Sequence, residues 1–168
     1  MTTSKNPLQQ SAKPVEPAGF DEEGTALQMG ELSELLGYVI KRAQLRVFDD
    51  FHRTMAPLQL SPAQFSVLLL LARNPGRNQT EIANTLGILR PNFVSMLDGL
   101  ESRDLLTRMR SPNDRRSHVL MLTDKGRATL ARAKKLVATR HEARLIELLG
   151  PGEHKALLGM MAKIAEEF

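Results

Sequence analysis

Four arginines, Arg108, Arg110, Arg115 and Arg116, fall within nine residues that contain Asp114 as their only acid, a net of +3. Short alternating apolar runs, Leu105 to Arg110 and His118 to Thr123, carry the first two and enclose the others, so the arginines belong to a charged hairpin, a wing. Arginine suits a narrow minor groove, where the negative potential of nucleic acid is enhanced. Asp114 is repelled by phosphate, and its place two residues before Arg116 suits it to orient that guanidinium instead. A solvated hairpin without a partner has the same composition, so the choice rests on what precedes it. There, at ~100° per helical residue, Phe93, Val94, Leu97 and Leu100 form one apolar sector of a helix from Pro91 to Arg103. Opposite lie Asn92, Ser95, Gly99 and Arg103. Asparagine pairs bidentately with adenine, serine reaches either base type, and a glycine lets the backbone approach closely. Arg90 and Pro91 open this helix, and an arginine at a helix N-terminus is placed for guanine or a phosphate.

Catalysis has no comparable support. His52, His118, His141 and His154 are scattered, and His141-Glu142-Ala143-Arg144-Leu145 lacks the second histidine of a zinc-protease helix. No glycine-rich phosphate loop is present, and no serine or lysine is spaced to pair with a base. The chain has no cysteine, which excludes disulfides, zinc–thiolate sites and thiol redox sensing. The expectation is a non-enzyme with no catalytic residue, metal or cofactor.

The elements that must position these residues read as mainly α, in one domain. Residues 1–26, rich in Pro, Gln, Ser, Gly and Glu, read as a disordered tail, and residues 27–168 as the domain. A long helix over 27–56 places Leu32, Leu35, Leu36, Val39, Ala43 and Val47 at three- and four-residue steps, and Pro57 ends it. Ser61-Pro62-Ala63-Gln64 opens a second helix with a capping box, and Phe65, Leu68, Leu69 and Ala72 lie on its apolar face. Asn78-Gln79-Thr80-Glu81 repeats the box and starts a short helix to Leu86, after which Gly87 suits a left-handed turn. Pro91 is expected at the first position of the next helix. A long helix from about Thr123 to Leu149 follows the hairpin, and a last helix puts Leu157, Met161, Ile164, Ala165 and Phe168 on one face. Residues 61–123 thus read as a winged helix-turn-helix, and 27–56 and 124–168 as dimerisation helices whose apolar stripes exceed what one small domain needs.

The first helix carries a second constellation. Its stripe centres on Val39, with Arg46 within ~20°, Arg42 within ~60° and Tyr38 beside them. A charge on a buried stripe must be paired. Salt bridges, Arg46 to Asp50 along the helix and Arg42 to Asp49 across an interface between two copies, satisfy that demand. So does an anion-recognising pocket made by Tyr38, Arg42 and Arg46 and lined by Phe65 and Leu69 of the second helix.

Residues 1–31 hold two lysines against five acids, a net of −3, which leaves +7 on the remainder of a chain whose total is +4. A basic body suits a polyanion. No apolar run approaches the ~20 residues of a spanning helix, and no secretory signal opens the chain. The expectation is a cytoplasmic protein without a membrane partner.

Asp114, Arg116, Leu120, Leu122 and Thr123, in this order and behind this helix pair, resemble the multiple-antibiotic-resistance regulator (MarR) family, over roughly Leu32 to Phe168. The resemblance implies a homodimer with interleaved first and last helices, bound to a palindromic operator in double-stranded DNA with half-sites about one turn apart. It also implies a recognition helix in the major groove, with Pro91, Asn92 and Ser95 at its reading positions, and a wing in the minor groove with Arg116 at its tip and Asp114 as partner. Arg90, Arg103, Arg110 and Arg115 complete the expected DNA-binding set. Asp104 stands where the family often has glycine, and Asp tolerates the left-handed conformation better than most side chains. The run Tyr38-Val39-Ile40-Lys41-Arg42-Ala43-Gln44 is similar to the branch that answers to phenolic acids or their coenzyme A thioesters. The function implied is a repressor of an aromatic-compound catabolic or efflux operon, released by a small anionic aromatic or acyl-CoA effector. A ligand-independent, DNA-organising winged-helix protein is the alternative.

Overall fold

The computed structural model describes residues 28–110 and 118–167. The tail expected over 1–26 and the wing tip with Asp114, Arg115 and Arg116 lie outside them, as does Phe168. The chain forms two units, with the division between Asp50 and Phe51, inside the first helix.

In the first unit a 3-10 turn, Gly30–Glu34, precedes α1 (Leu36–Met55). The helix therefore starts later than expected, because Leu35 takes an extended backbone (φ −82°, ψ 111°) that interrupts the apolar periodicity. Leu32, Leu35, Leu36, Val39, Leu45 and Phe48 are exposed. The stripe expected to be buried is open in the single chain.

The second unit opens with the last turn of α1 and a 3-10 turn, Ala56–Leu58. In α2 (Pro62–Arg73) the Ser61 hydroxyl accepts the Gln64 N–H, and the Gln64 side chain accepts the Ser61 N–H in return. The second capping box holds α3 (Gln79–Thr85), where Asn78 and Glu81 exchange two bonds of 2.9 Å. Gly87 at φ 62° turns the chain into α4 (Arg90–Ser102), a conformation that a Cβ would oppose. Pro91 occupies the second helical position rather than the first, since the helix begins at Arg90.

Strands β1 (Leu106–Arg110) and β2 (His118–Leu122) pair antiparallel with Leu106 opposite Leu122 and Arg110 opposite His118. The segment before α3 joins them: the Leu120 N–H donates to the Arg77 carbonyl at 2.9 Å, and Asn78 bridges to Val119. After β2, Thr123 caps α5 (Asp124–Leu136) by accepting the Gly126 N–H at 2.9 Å. A π-helical segment, Val137–Glu142, then leads into α6 (Ala143–Leu149), and α7 (Pro151–Glu167) follows. The single helix expected from Thr123 to Leu149 is thus widened in its middle, where buried His141 sets its ring edge-on to Phe51 at 5.3 Å. Phe51 also packs on Phe65 at 5.6 Å.

One core serves this unit. Met55, Val67, Leu68, Phe93, Leu97, Leu100, Leu105 and Leu120 are essentially inaccessible, and Phe65 and Leu69 pack against them. The same burial that stabilises the unit therefore sets where α4 and the strands stand. No single helix among the described residues is long and apolar enough to cross a membrane.

Candidate nucleic-acid interface

Helix α4 is held by its inward side. Phe93, Leu97 and Leu100 are buried and Met96 packs beside them. Arg90, Pro91 and Ser95 are exposed and Asn92 is half-buried, so the side chains expected to read bases lie off the core. Val94 belongs with these outer residues, not with the apolar sector: it is 39% exposed, and an apolar side chain there suits a thymine methyl. Leu89, which precedes the helix, offers no side-chain cap, so the first-turn N–H groups beside Arg90 stay available to an anion. A Cβ built on Gly99 meets no neighbour within 4 Å, so nothing in the fold requires that glycine.

Two arginines do other work than expected. Arg103 donates from both guanidinium nitrogens, at 2.7 Å each, to the carbonyls of Leu58 and Gln59. The turn around Gln59 is left-handed (φ 49°) and leaves these carbonyls free to accept, so Arg103 anchors the end of α4 to that turn. Asp104 beside it is left-handed (φ 58°), and its N–H and that of Leu105 close a Schellman motif onto Glu101 and Leu100. Arg108 is not a free charge of the wing: its guanidinium lies 2.6 Å from Asp98 and 2.8 Å from Glu101. Its charge is consumed by acids of α4. Arg110 keeps its exposed place at the last described rung of β1.

Between α3, α4 and the strands lies an open cleft of about 810 Å³, walled by Asn78, Gln79, Asn84, Arg90, Val94, Arg108 and His118 among others. Asn78 and Gln79 read from the sequence only as part of a helix cap, and Asn84 carries no signal there. Only their adjacency to α4, set by the Gly87 turn, brings their amides to this face.

The second constellation lies in the first unit. Tyr38, Arg42 and Arg46 line a hollow of about 310 Å³ with Ser33, Val39 and Ala43. Within one chain neither arginine shows an ion pair or side-chain hydrogen bond among the described residues, while the Arg42–Asp49 bridge is one expected between two copies. Helical spacing explains the grouping, since steps of four and eight residues from Tyr38 stay on one face. Phe65 and Leu69 belong to the second unit, packed on its core. No group of three or more metal-ligating side chains is present among the described residues.

Comparison with known proteins follows the same lines. The MarR family model matches residues 60–118, which span α2 to the start of β2. The structure of a transcriptional repressor, CouR, bound to a 23-mer DNA duplex superposes with a TM-score of 0.82 at 75% identity, over 84% of this chain and all of that one. CouR bound to p-coumaroyl-CoA gives a TM-score of 0.80 at 74% identity, over 84% of this chain and 99% of that one. A putative transcriptional regulatory protein for the hcr operon of Thauera aromatica is 29% identical over 136 residues, 80% of this chain and 81% of that protein. With its cored α4, its Gly87 turn and its two-stranded wing, this chain belongs to the MarR family of winged helix-turn-helix regulators.

Proposed function

We propose that this protein is a dimeric, cytoplasmic repressor of aromatic-compound catabolism that leaves its operator when it binds an aryl-CoA thioester. The observation that supports this most is the 75% identity, over the whole of CouR's solved chain, to a repressor seen both on a DNA duplex and with p-coumaroyl-CoA. Two copies of α4 enter successive major grooves of a palindromic site, with Asn92 and Ser95 at base edges and Arg90 at the backbone. The wing, with Arg110, Arg115 and Arg116, enters the minor groove, and Asp114 orients Arg116. Arg116→Ala is expected to weaken operator binding on the order of tenfold or more, whereas Asn92→Ala shifts base preference at one position per half-site. Gel shifts against single-base operator variants check both. Equal operator binding by Arg116→Ala and the wild type would remove the wing from the interface.

The hollow on α1 is the effector's anchor. An acyl-CoA carries phosphates, and guanidinium groups without an internal partner bind phosphate bidentately. Tyr38 adds an aromatic wall. A ligand shifts an equilibrium only by its differential affinity for the two states. Arg42→Ala and Arg46→Ala are therefore expected to keep operator affinity near wild type while the p-coumaroyl-CoA concentration for half-release rises about tenfold, one charge-assisted contact being worth ~1.5–3 kcal/mol. Gel shifts titrated with p-coumaroyl-CoA, free p-coumarate and coenzyme A test this. Wild-type release by both variants would move the anchor elsewhere, and release by none of the three compounds would favour the DNA-organising alternative.

A further inference from the structure

We propose that Arg108, Asp98 and Glu101 form a clamp that positions the wing against the recognition helix, so that both reach DNA in one register. The proposal rests on the DNA-binding reading above and extends it to residues whose charges pair with one another inside the protein. Glu101 accepts twice from the same residue: Oε1 takes the Arg108 backbone N–H at 3.0 Å and Oε2 takes its guanidinium at 2.8 Å. Asp98, one turn earlier on α4, accepts the other terminal nitrogen at 2.6 Å. The middle of β1 is thereby tied to the last two turns of α4. On its other side the sheet is tied through Leu120 to the Arg77 carbonyl, so the wing base is held from both edges.

Asp98 and Glu101 sit on the one helix that must approach a polyanion, where an unused carboxylate repels the ligand. Their cost is explained if they hold something the complex needs. Arg108 is not a spare cation either. Its side chain is only 22% exposed, both terminal nitrogens are taken, and its Nε–H is buried without a partner among the described residues. A half-buried guanidinium of this kind acts through geometry, because two acids fix its plane and hence the strand that bears it. Glu101 is the less exposed of the two acids, and it alone grips both backbone and side chain, so it carries more of the effect.

The test uses full-length protein and a duplex selected by the wild type from a random-sequence pool. Glu101→Gln and Asp98→Asn each remove a negative charge from the DNA-facing side, so electrostatics alone makes them bind more tightly. The clamp predicts the reverse, with Glu101→Gln weaker on the order of tenfold. The double variant Arg108→Gln with Glu101→Gln should bind no worse than Arg108→Gln alone, because the two residues act as one unit. Arg108→Lys keeps the charge but cannot span both acids, and is expected to weaken binding with an unchanged salt slope. Footprints give a readout that general destabilisation does not move. In Glu101→Gln, hydroxyl-radical protection of the minor groove beside the half-sites should fade while protection of guanine N7 from dimethyl sulfate persists. Tighter binding by Glu101→Gln, additive losses in the double variant, or equal loss of both footprints would overturn the clamp. Failure of the wild type to select any duplex would instead overturn the DNA-binding reading, and the clamp with it.

Discussion

Gly126→Ala is expected to be the most damaging glycine-to-alanine change among the described residues. A Cβ at Gly126 would lie 1.8 Å from the Leu105 carbonyl oxygen and 2.8 Å from its carbon, both backbone atoms. Neither side can yield cheaply. The Leu105 oxygen also accepts the Thr123 N–H at 3.3 Å, Leu105 is buried at the start of the wing, and Thr123 caps α5 by accepting the Gly126 N–H. Relief requires moving α5 away from β1, which undoes the cap and the core contact together. A loss of about 3–5 kcal/mol follows from overpacking against backbone plus a lost cap, which lowers the melting temperature on the order of 10 °C for a chain of this size. Gly99→Ala is the control. It sits inside α4 with nothing within 4 Å of its Cβ position, and is expected to leave stability equal or raised by up to about 1 kcal/mol. Melts followed by circular dichroism separate the two, and a Gly126→Ala protein as stable as the wild type would show that α5 does not press on the wing base.

Replacing Leu157 and Ile164 together by glutamine is expected to abolish dimerisation, and operator binding with it. Both lie on one face of α7 with Met161, since steps of four and seven residues stay within ~60°. Both are exposed in the single chain, as are Leu158 and Met160 on the same helix. An apolar face of that extent is the signature of a surface covered by another copy. Joining two half-site readers turns the second contact into an intramolecular event, so its loss should cost roughly a hundredfold or more in operator affinity. Analytical ultracentrifugation beside gel shifts checks this. A double variant that stays dimeric at micromolar concentration and binds as the wild type does would take α7 out of the dimer contact.

Much of the scaffold was legible in the sequence because its signals are local. Ser61 with Gln64 and Asn78 with Glu81 make capping boxes by spacing alone, and both bonds of each box are formed. Gly87 and Asp104 occupy left-handed positions, as a turn glycine and a turn aspartate should. Alternation in Leu106–Arg110 and His118–Leu122 places two strands, and the basic residues between them announce a wing. These features depend on residues a few positions apart, and short-range sterics and hydrogen bonding decide them whatever the rest of the chain does.

The sequence by itself thus determined the order of the main helices and strands, the helix-turn-helix with its wing, and the absence of any thiol chemistry. Only the tertiary structure decided which charges remain free. Arg103 and Arg108 read as cations for DNA because their partners are distant in the chain: Leu58 and Gln59 lie more than forty residues before Arg103, and Asp98 and Glu101 lie ten and seven residues before Arg108 on a different element. Arg42 and Arg46, with acids nearby in sequence, read as equally fit for salt bridges, yet are left without a partner among the described residues. A residue's type sets the charge it carries. Whether that charge is satisfied inside the protein or offered to a ligand depends on where packing of α1 through α7 brings carbonyls and carboxylates. That is a non-local outcome, which periodicity along the chain does not encode.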